Sequence, residues 1–266
     1  MHVEPITLIS FSPTGTTKTV LEGIAQGLQA DVAEFVDLTR PEADAREFPP
    51  FHDTLAILGA PVYGGRIPAV AAARFSRLRA KGIPAIIVAV YGNREYEDAL
   101  LELKDIAIAG GFVPVAGAAF IGEHSFDEET TPIATGRPDI QDMRNTEELA
   151  RMIRGKMERL DTLGDMPPLH VPGNTPYKDG MSWPPMSPVT MGSLCTKCGA
   201  CAAACPTAAI IVGDTVVTDE YLCILCTACV KNCPAGARTW QHPNVEEAAN
   251  WLSTNCHERK EPEFYL

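Results

Sequence analysis

Two runs of cysteine constrain this 266-residue chain more than any other feature: Cys195, Cys198, Cys201 and Cys205 before Pro206, then Cys223, Cys226, Cys229 and Cys233 before Pro234. Each cysteine of the second run stands 28 positions after its counterpart (223 less 195), so the segment is an internal repeat. The spacing in both runs is C-x2-C-x2-C-x3-C-P. Thiolates are soft ligands suited to iron–sulfur cubanes, and three cysteines on one tight loop can reach three irons of one cube. Zinc is the plainer alternative, but zinc ribbons present C-x2-C pairs separated by a longer spacer. The proline after each fourth cysteine turns the chain away from it.

Over about residues 190–240 the pattern resembles the bacterial ferredoxins with two [4Fe–4S] clusters. The resemblance implies that the fourth cysteine of each run ligates the other run's cluster. Cys195, Cys198, Cys201 and Cys233 are then expected to hold one cluster, and Cys223, Cys226, Cys229 and Cys205 the other. Eight of the nine cysteines are used in this way, which reads as metal ligation in a reducing cytoplasm and not as a disulfide framework. Cys256 fits neither cluster and reads as an inert thiol.

The chain is too long for that repeat alone, and its length suggests two domains. We divide it into 1–163, a connector at 164–190, the cysteine domain at 191–241, and a helix with a tail at 242–266. No apolar run is long enough to span a bilayer, and the first five residues lack the basic region and apolar stretch of a signal peptide. Residues 1–165 carry 16 Lys+Arg against 25 Asp+Glu, within a net charge of −12 for the chain. Such a surface repels nucleic acid and anionic membrane and favours basic patches on protein partners.

Residues 1–163 alternate short β-rich apolar runs with helical patterns, which predicts a doubly wound α/β domain with a parallel sheet. Strands are expected at 6–11, 32–37, 55–60, 83–91 and 112–121, and helices at 16–28, 69–80, 96–109 and 140–163. Ligands of such sheets sit at the carboxyl ends of the strands.

The loop after the first strand reads Ser12-Pro13-Thr14-Gly15-Thr16-Thr17. It lacks the glycines of a dinucleotide fingerprint or a Walker loop, and offers hydroxyls and N–H groups at a helix amino terminus instead, a site for a phosphate monoester. The loop resembles the flavodoxin phosphate loop at Ser12, Thr14, Gly15 and Thr17. The loops Pro61-Val62-Tyr63-Gly64-Gly65 and Tyr91-Gly92-Asn93-Arg94, the latter running on through Tyr96 and Asp98, look like the isoalloxazine-binding loops of the same family. The resemblance implies a flavodoxin-like five-stranded sheet holding FMN, with the phosphate on Ser12, Thr14, Gly15, Thr16 and Thr17. Tyr96 is expected to stack on the ring, and Tyr63 with Gly64 to lie near its N5 edge. Residues 1–165 alone are expected to bind FMN. His124 reads as a hydrogen-bonded loop histidine, with proton donation as the sharper alternative.

The connector is crowded with Pro and Gly, and Met181, Trp183, Met186 and Met191 are expected to pin it down. A short helix is expected from Asn244 as N-cap, with Ala248, Ala249, Trp251 and Leu252 as its apolar face. The aromatic end of the tail is expected to tuck onto the body.

Nearly the whole chain resembles the flavodoxin–ferredoxin fusion proteins of anaerobic bacteria and archaea. That resemblance implies a cytoplasmic, low-potential electron carrier working between ferredoxin-type donors and a larger redox enzyme. An FMN-dependent reductase of a quinone-like or nitro acceptor is the alternative, although no substrate acid/base constellation is visible. A redox-sensing protein is a third class, for which no output domain exists. A homo-oligomer or a place in a larger complex stays open, as do the physiological donor and acceptor.

Overall fold

The computed structural model describes residues 5–160, 162–180 and 182–266. Met181, named above as an anchor of the connector, and the first four residues lie outside them. The front part runs β1 (Ile6–Ser10), α1 (Thr16–Leu28), β2 (Val32–Asp37), β3 (Leu55–Pro61), α2 (Ala69–Phe75), β4 (Pro84–Tyr91), α3 (Ala99–Ala109), β5 (Val113–Ile121) and α4 (Ile140–Glu158). The second part adds β6 (Val189–Thr190), α5 (Ala200–Ala204), β7 (Ile210–Val212), β8 (Val216–Thr218), α6 (Ala228–Lys231), β9 (Arg238–Thr239), α7 (Pro243–Asn255) and β10 (Glu263–Tyr265).

Five parallel strands follow the order β2-β1-β3-β4-β5, the flavodoxin-like form of the doubly wound sheet. β1 and β3 are buried along their whole length, and β4 beyond its first residue, because helices cover both faces. α1 and α4 close one face over Ile24, Leu149 and Ile153, while α2 and α3 close the other over Phe75, Leu100 and Leu103.

The expected five-stranded sheet gains a sixth strand. β10, from the extreme carboxyl end, pairs antiparallel with β5 and caps that edge through Glu263↔Ala119, Phe264↔Ala118 and Tyr265↔Gly117. An unpaired edge would present a row of free N–H and C=O groups. The tail is thus part of the front domain's sheet.

Three helix ends of the front part differ from expectation: α4 stops at Glu158, short of 163, and at the other two the backbone is recruited elsewhere. α2 stops at Phe75 because the Arg79 carbonyl accepts from Phe51 N–H at 2.8 Å and Ala80 N–H donates to Gly110 at 2.7 Å. α3 starts at Ala99 because Glu97 sits at φ 44° and Asp98 N–H donates to the Gly65 carbonyl. α7 begins at Pro243 with His242 as N-cap, accepting Asn244 N–H at Nδ1, so Asn244 is not the cap. Proline suits the first helical position because its missing N–H is unneeded there.

The 28-residue repeat is visible in the backbone. Lys197 and Leu225, Gly199 and Thr227, and Ala208 and Gly236 form three pairs of equivalent positions, all with positive φ. Each member of the last pair lies three residues after its run's fourth cysteine, and in each run the next N–H bonds that cysteine: Ala209 to Cys205 Sγ at 3.3 Å and Ala237 to Cys233 Sγ at 3.2 Å.

The cysteine domain and the connector pack on the front domain. Arg74 in α2 is 1% exposed and reaches across to the Pro206 carbonyl at 2.9 Å. Lys231 pairs with Glu123, and Arg40 donates to the Ala203 carbonyl. Along the connector, Asp98 accepts the N–H groups of Asn174 at 2.8 Å and Lys178 at 2.7 Å, while Met186 is buried against Phe126, Leu225 and Trp240.

Candidate functional site

A cavity of about 660 Å³ opens at the carboxyl ends of the strands. Thr14 and Thr16 form one end, and the loops after β3 and β4 supply Pro61, Val62, Tyr63, Gly64, Tyr91, Gly92 and Arg94. α1 opens at Thr16 on the edge of this cavity, and the first N–H groups of a helix have no partner within it. Gly15, at φ 90°, precedes the helix without a side-chain cap, while Ser12 Oγ accepts Lys18 N–H. The hydroxyls of Thr14 and Thr16 lie 3.4 Å apart. Thr17 is fully buried and its hydroxyl has no partner among the described residues. A Cβ on Gly15 would meet nothing within 4 Å, so the space in front of the turn is open. These are the features of a cradle for a dianionic phosphate, and no cation is needed to complete it.

The loop after β3 makes a tight turn in which Tyr63 and Arg66 exchange backbone hydrogen bonds, with Gly64 at φ 62° and Gly65 at φ 85°. Positive φ favours glycine at both positions, and a Cβ on Gly65 would lie 1.6 Å from the Glu97 carboxylate. The loop after β4 comes equally close to its neighbours, since a Cβ on Gly92 would lie 2.3 Å from the His124 ring. Two glycine-lined loops beside a cavity of this size fit a flat ring.

Seven expected contacts do not line this cavity: Ser12, Gly15 and Thr17 share the phosphate loop with Thr14 and Thr16, and Gly65, Asn93, Tyr96 and Asp98 are engaged elsewhere. Tyr96 is 4% exposed, with its hydroxyl bonded to Glu263 and Tyr265, so its ring is not available for stacking. Asn93 is buried and donates to the carbonyls of Cys256 at 2.6 Å and Glu258 at 2.8 Å. Asp98 holds the connector, and Gly65 faces Glu97. Tyr96, Asn93 and Asp98 clamp distant segments onto the loops. The cavity is instead completed by Trp183 of the connector, Leu225 of the second cysteine loop, and Asn244, Glu247, Ala248, Trp251 and Leu252 of α7. Residues 1–165 therefore do not close it alone.

His124 also borders the cavity. Its Nδ1 accepts Phe126 N–H at 3.0 Å, and burial, with Lys231 and Arg94 nearby, holds its pKa down to about 4. It is neutral at neutral pH and acts as an acceptor in its own loop.

The eight repeated cysteines fall into two quartets. Cys195, Cys198, Cys201 and Cys233 line one small cavity, and Cys205, Cys223, Cys226 and Cys229 line another. Among the described residues no three His, Cys, Asp or Glu side chains are placed to hold a single metal ion. Four thiols ringing a cavity, with N–H donors on the fourth cysteine, are the donor set of a cubane. The quartets differ in setting: Cys198 is exposed, whereas burial pushes the Cys223 thiol up to about 11 and Cys226 well above its usual value. Buried thiols ionise when a bound metal supplies the compensating charge. Cys256 lies at the end of α7 and lines neither quartet's cavity.

Comparison with known proteins divides along the same line. Residues 187–234 match the family model described as the 4Fe-4S dicluster domain. No curated protein matches the chain. Solved structures similar to the front part include a flavodoxin from the domain Archaea, at 14% identity over 58% of this chain and 99% of that one with a TM-score of 0.36. Flavodoxin 2 from Bacillus cereus is 15% identical over 57% of this chain and 98% of that one, at 0.41. A flavodoxin from Streptococcus pneumonia TIGR4 is 16% identical over 57% and 98%, at 0.37. The strand order, independent of those scores, makes the front domain flavodoxin-like. The chain joins a flavodoxin-like α/β domain to a 4Fe-4S dicluster domain. No described helix is long and apolar enough to cross a membrane.

Proposed function

We propose that the chain is an electron-transfer protein that holds FMN in the front cavity and two [4Fe–4S] clusters in the cysteine quartets. It passes electrons between a ferredoxin-type donor and a larger redox enzyme. The observation that carries this reading is Leu225, which lies between Cys223 and Cys226 and borders the front cavity, so one loop serves both sites. Tyr63 supports it from the other side, since it lines the cavity and packs with Ile224 and Cys226.

FMN exchanges one or two electrons and each cluster one, so the pair converts between two-electron and one-electron transfer. The chain's own residues set the conditions. Thr14, Thr16, Thr17 and the first turn of α1 hold the phosphate, while the Tyr63–Arg66 turn and Gly92 position the ring. N–H groups of Ala209 and Ala237 and the Arg238 guanidinium, 3.5 Å from Cys229 Sγ, donate to thiolate sulfur and favour the more negative, reduced cluster. Leu194, Lys197 and Cys198 are exposed, which suits the first quartet to exchange with outside partners. The net charge of −12 favours partners with basic patches.

The test is anoxic purification of the full chain with iron supplied. About eight irons, eight sulfides and one FMN per chain are expected. Zinc in place of iron, or FAD in place of FMN, would overturn the assignment.

A further inference from the structure

One aromatic side chain at the front cavity has no role in the fold. Trp251 is 53% exposed, whereas Trp240 is 8% exposed and Trp183 packs edge-on against Phe126 with ring centroids 6.2 Å apart. α7 is anchored through Val245, Ala249 and Leu252, so its position does not depend on Trp251. Its carboxyl end is fixed as well, by the bond from Asn93 to the Cys256 carbonyl. A half-exposed indole on a firmly seated helix at the edge of a cavity is surface awaiting a partner.

The other aromatic residues at this cavity are engaged. Tyr91 packs on Tyr96 with ring centroids 5.3 Å apart. The Tyr63 ring packs with Ala228 and Cys226 of the second cysteine loop. Thr14 and Thr16 fix the polar end of the same cavity.

We infer that Trp251 is the side chain that covers the FMN ring, so that flavin retention depends on the carboxyl-terminal helix and not on the front domain's loop aromatics. The inference rests on the FMN reading of the cavity. Tryptophan offers a broad π-face to a flat heteroaromatic ring. It also makes flavin binding conditional on the rest of the chain, because α7 follows the cysteine domain.

The test titrates FMN into the flavin-free full chain, reading affinity and the quenching of FMN fluorescence. Trp251→Ala and Trp251→Leu are expected to weaken binding about tenfold or more and to lose most of the quenching. Trp251→Phe keeps a ring and should stay within about threefold of wild type. Because the side chain is half exposed, all three variants should keep the wild-type melting temperature, and Leu preserves apolar bulk if Ala does not. Wild-type binding with unchanged affinity and quenching in both Ala and Leu variants would overturn this inference alone. Absence of FMN binding by the wild type would overturn the cavity reading and this inference together.

Discussion

The hydroxyls of Tyr96 and Tyr265 lie 2.6 Å apart, and both bond to the carboxylate of Glu263. This small network ties the loop after β4 to the last strand. Asn93, beside it, holds Cys256 and Glu258, and Arg137 reaches the Lys260 carbonyl. The flavodoxin-like domain is therefore finished by residues that follow the cysteine domain.

Removing residues 256–266 is expected to expose the β5 edge and leave the Asn93 amide, the Tyr96 hydroxyl and the Arg137 guanidinium short of partners. The cost should reach about 3 kcal/mol or more, since each buried group left unpaired costs about 1–3 kcal/mol. Tyr96→Phe alone should cost about 1 kcal/mol. Urea unfolding of the full chain and both variants measures this, and an unchanged midpoint on truncation would contradict it.

Cluster ligation should cross between the repeats. Cys205→Ala is expected to alter the electron paramagnetic resonance signal of the cluster at Cys223, Cys226 and Cys229, because Cys205 lines that cavity. Cys233→Ala should alter the other. If each variant instead disturbed the cluster of its own run, the quartets would be wrong.

Much of this was readable along the chain, and the limits of that reading are physical. The cysteine runs and the phosphate loop are local motifs whose spacing carries their chemistry, while the exchange of the fourth cysteine between runs is implied by the ferredoxin resemblance. The parallel sheet follows from apolar runs alternating with helices, whereas its flavodoxin-like order rests on the resemblance of the loops. Tyr96, Asn93 and Asp98 were misread because their partners stand far away, at Glu263, Cys256 and Lys178. A loop that looks like a ligand contact in sequence can be a clamp once a distant segment folds onto it. Of the expected apolar face of α7, Ala249 and Leu252 are buried together with Val245, whereas Trp251 is exposed. The N-cap at His242 could have been found, because Pro243 marks the first helical position.

Stability should depend on pH through His124. Its folded pKa is about 4, below the ordinary 6.5, chiefly because of burial. Between those values the unfolded chain binds the proton and the folded chain does not. Stability therefore falls as pH drops below about 6.5, with the loss complete below about 4 and no larger than about 3 kcal/mol. Unfolding midpoints of wild type and His124→Asn should diverge from each other across that window. Parallel profiles would contradict the assignment.

Docking of the two parts should depend on Arg74, which chelates Asp44 through two 2.7 Å bonds and also reaches Pro206. Arg74→Met removes every one of these bonds and should cost about 3 kcal/mol, with faster proteolysis in the connector. Arg74→Lys should recover only part of this, because an ammonium cannot reproduce the forked geometry. Equal proteolysis rates in wild type and Met variant would show that the contact does not hold the parts together.

In the proposed function the two cofactor sites form one internal path through the Tyr63–Leu225 wall. The direct measurement reduces the flavin photochemically in the loaded full chain and follows cluster reduction, then repeats the experiment from reduced clusters towards oxidised flavin. The expected transfer rate is independent of protein concentration in whichever direction the potentials allow. A rate that rises in proportion to protein concentration, in both directions, would contradict it and make the chain an intermolecular shuttle.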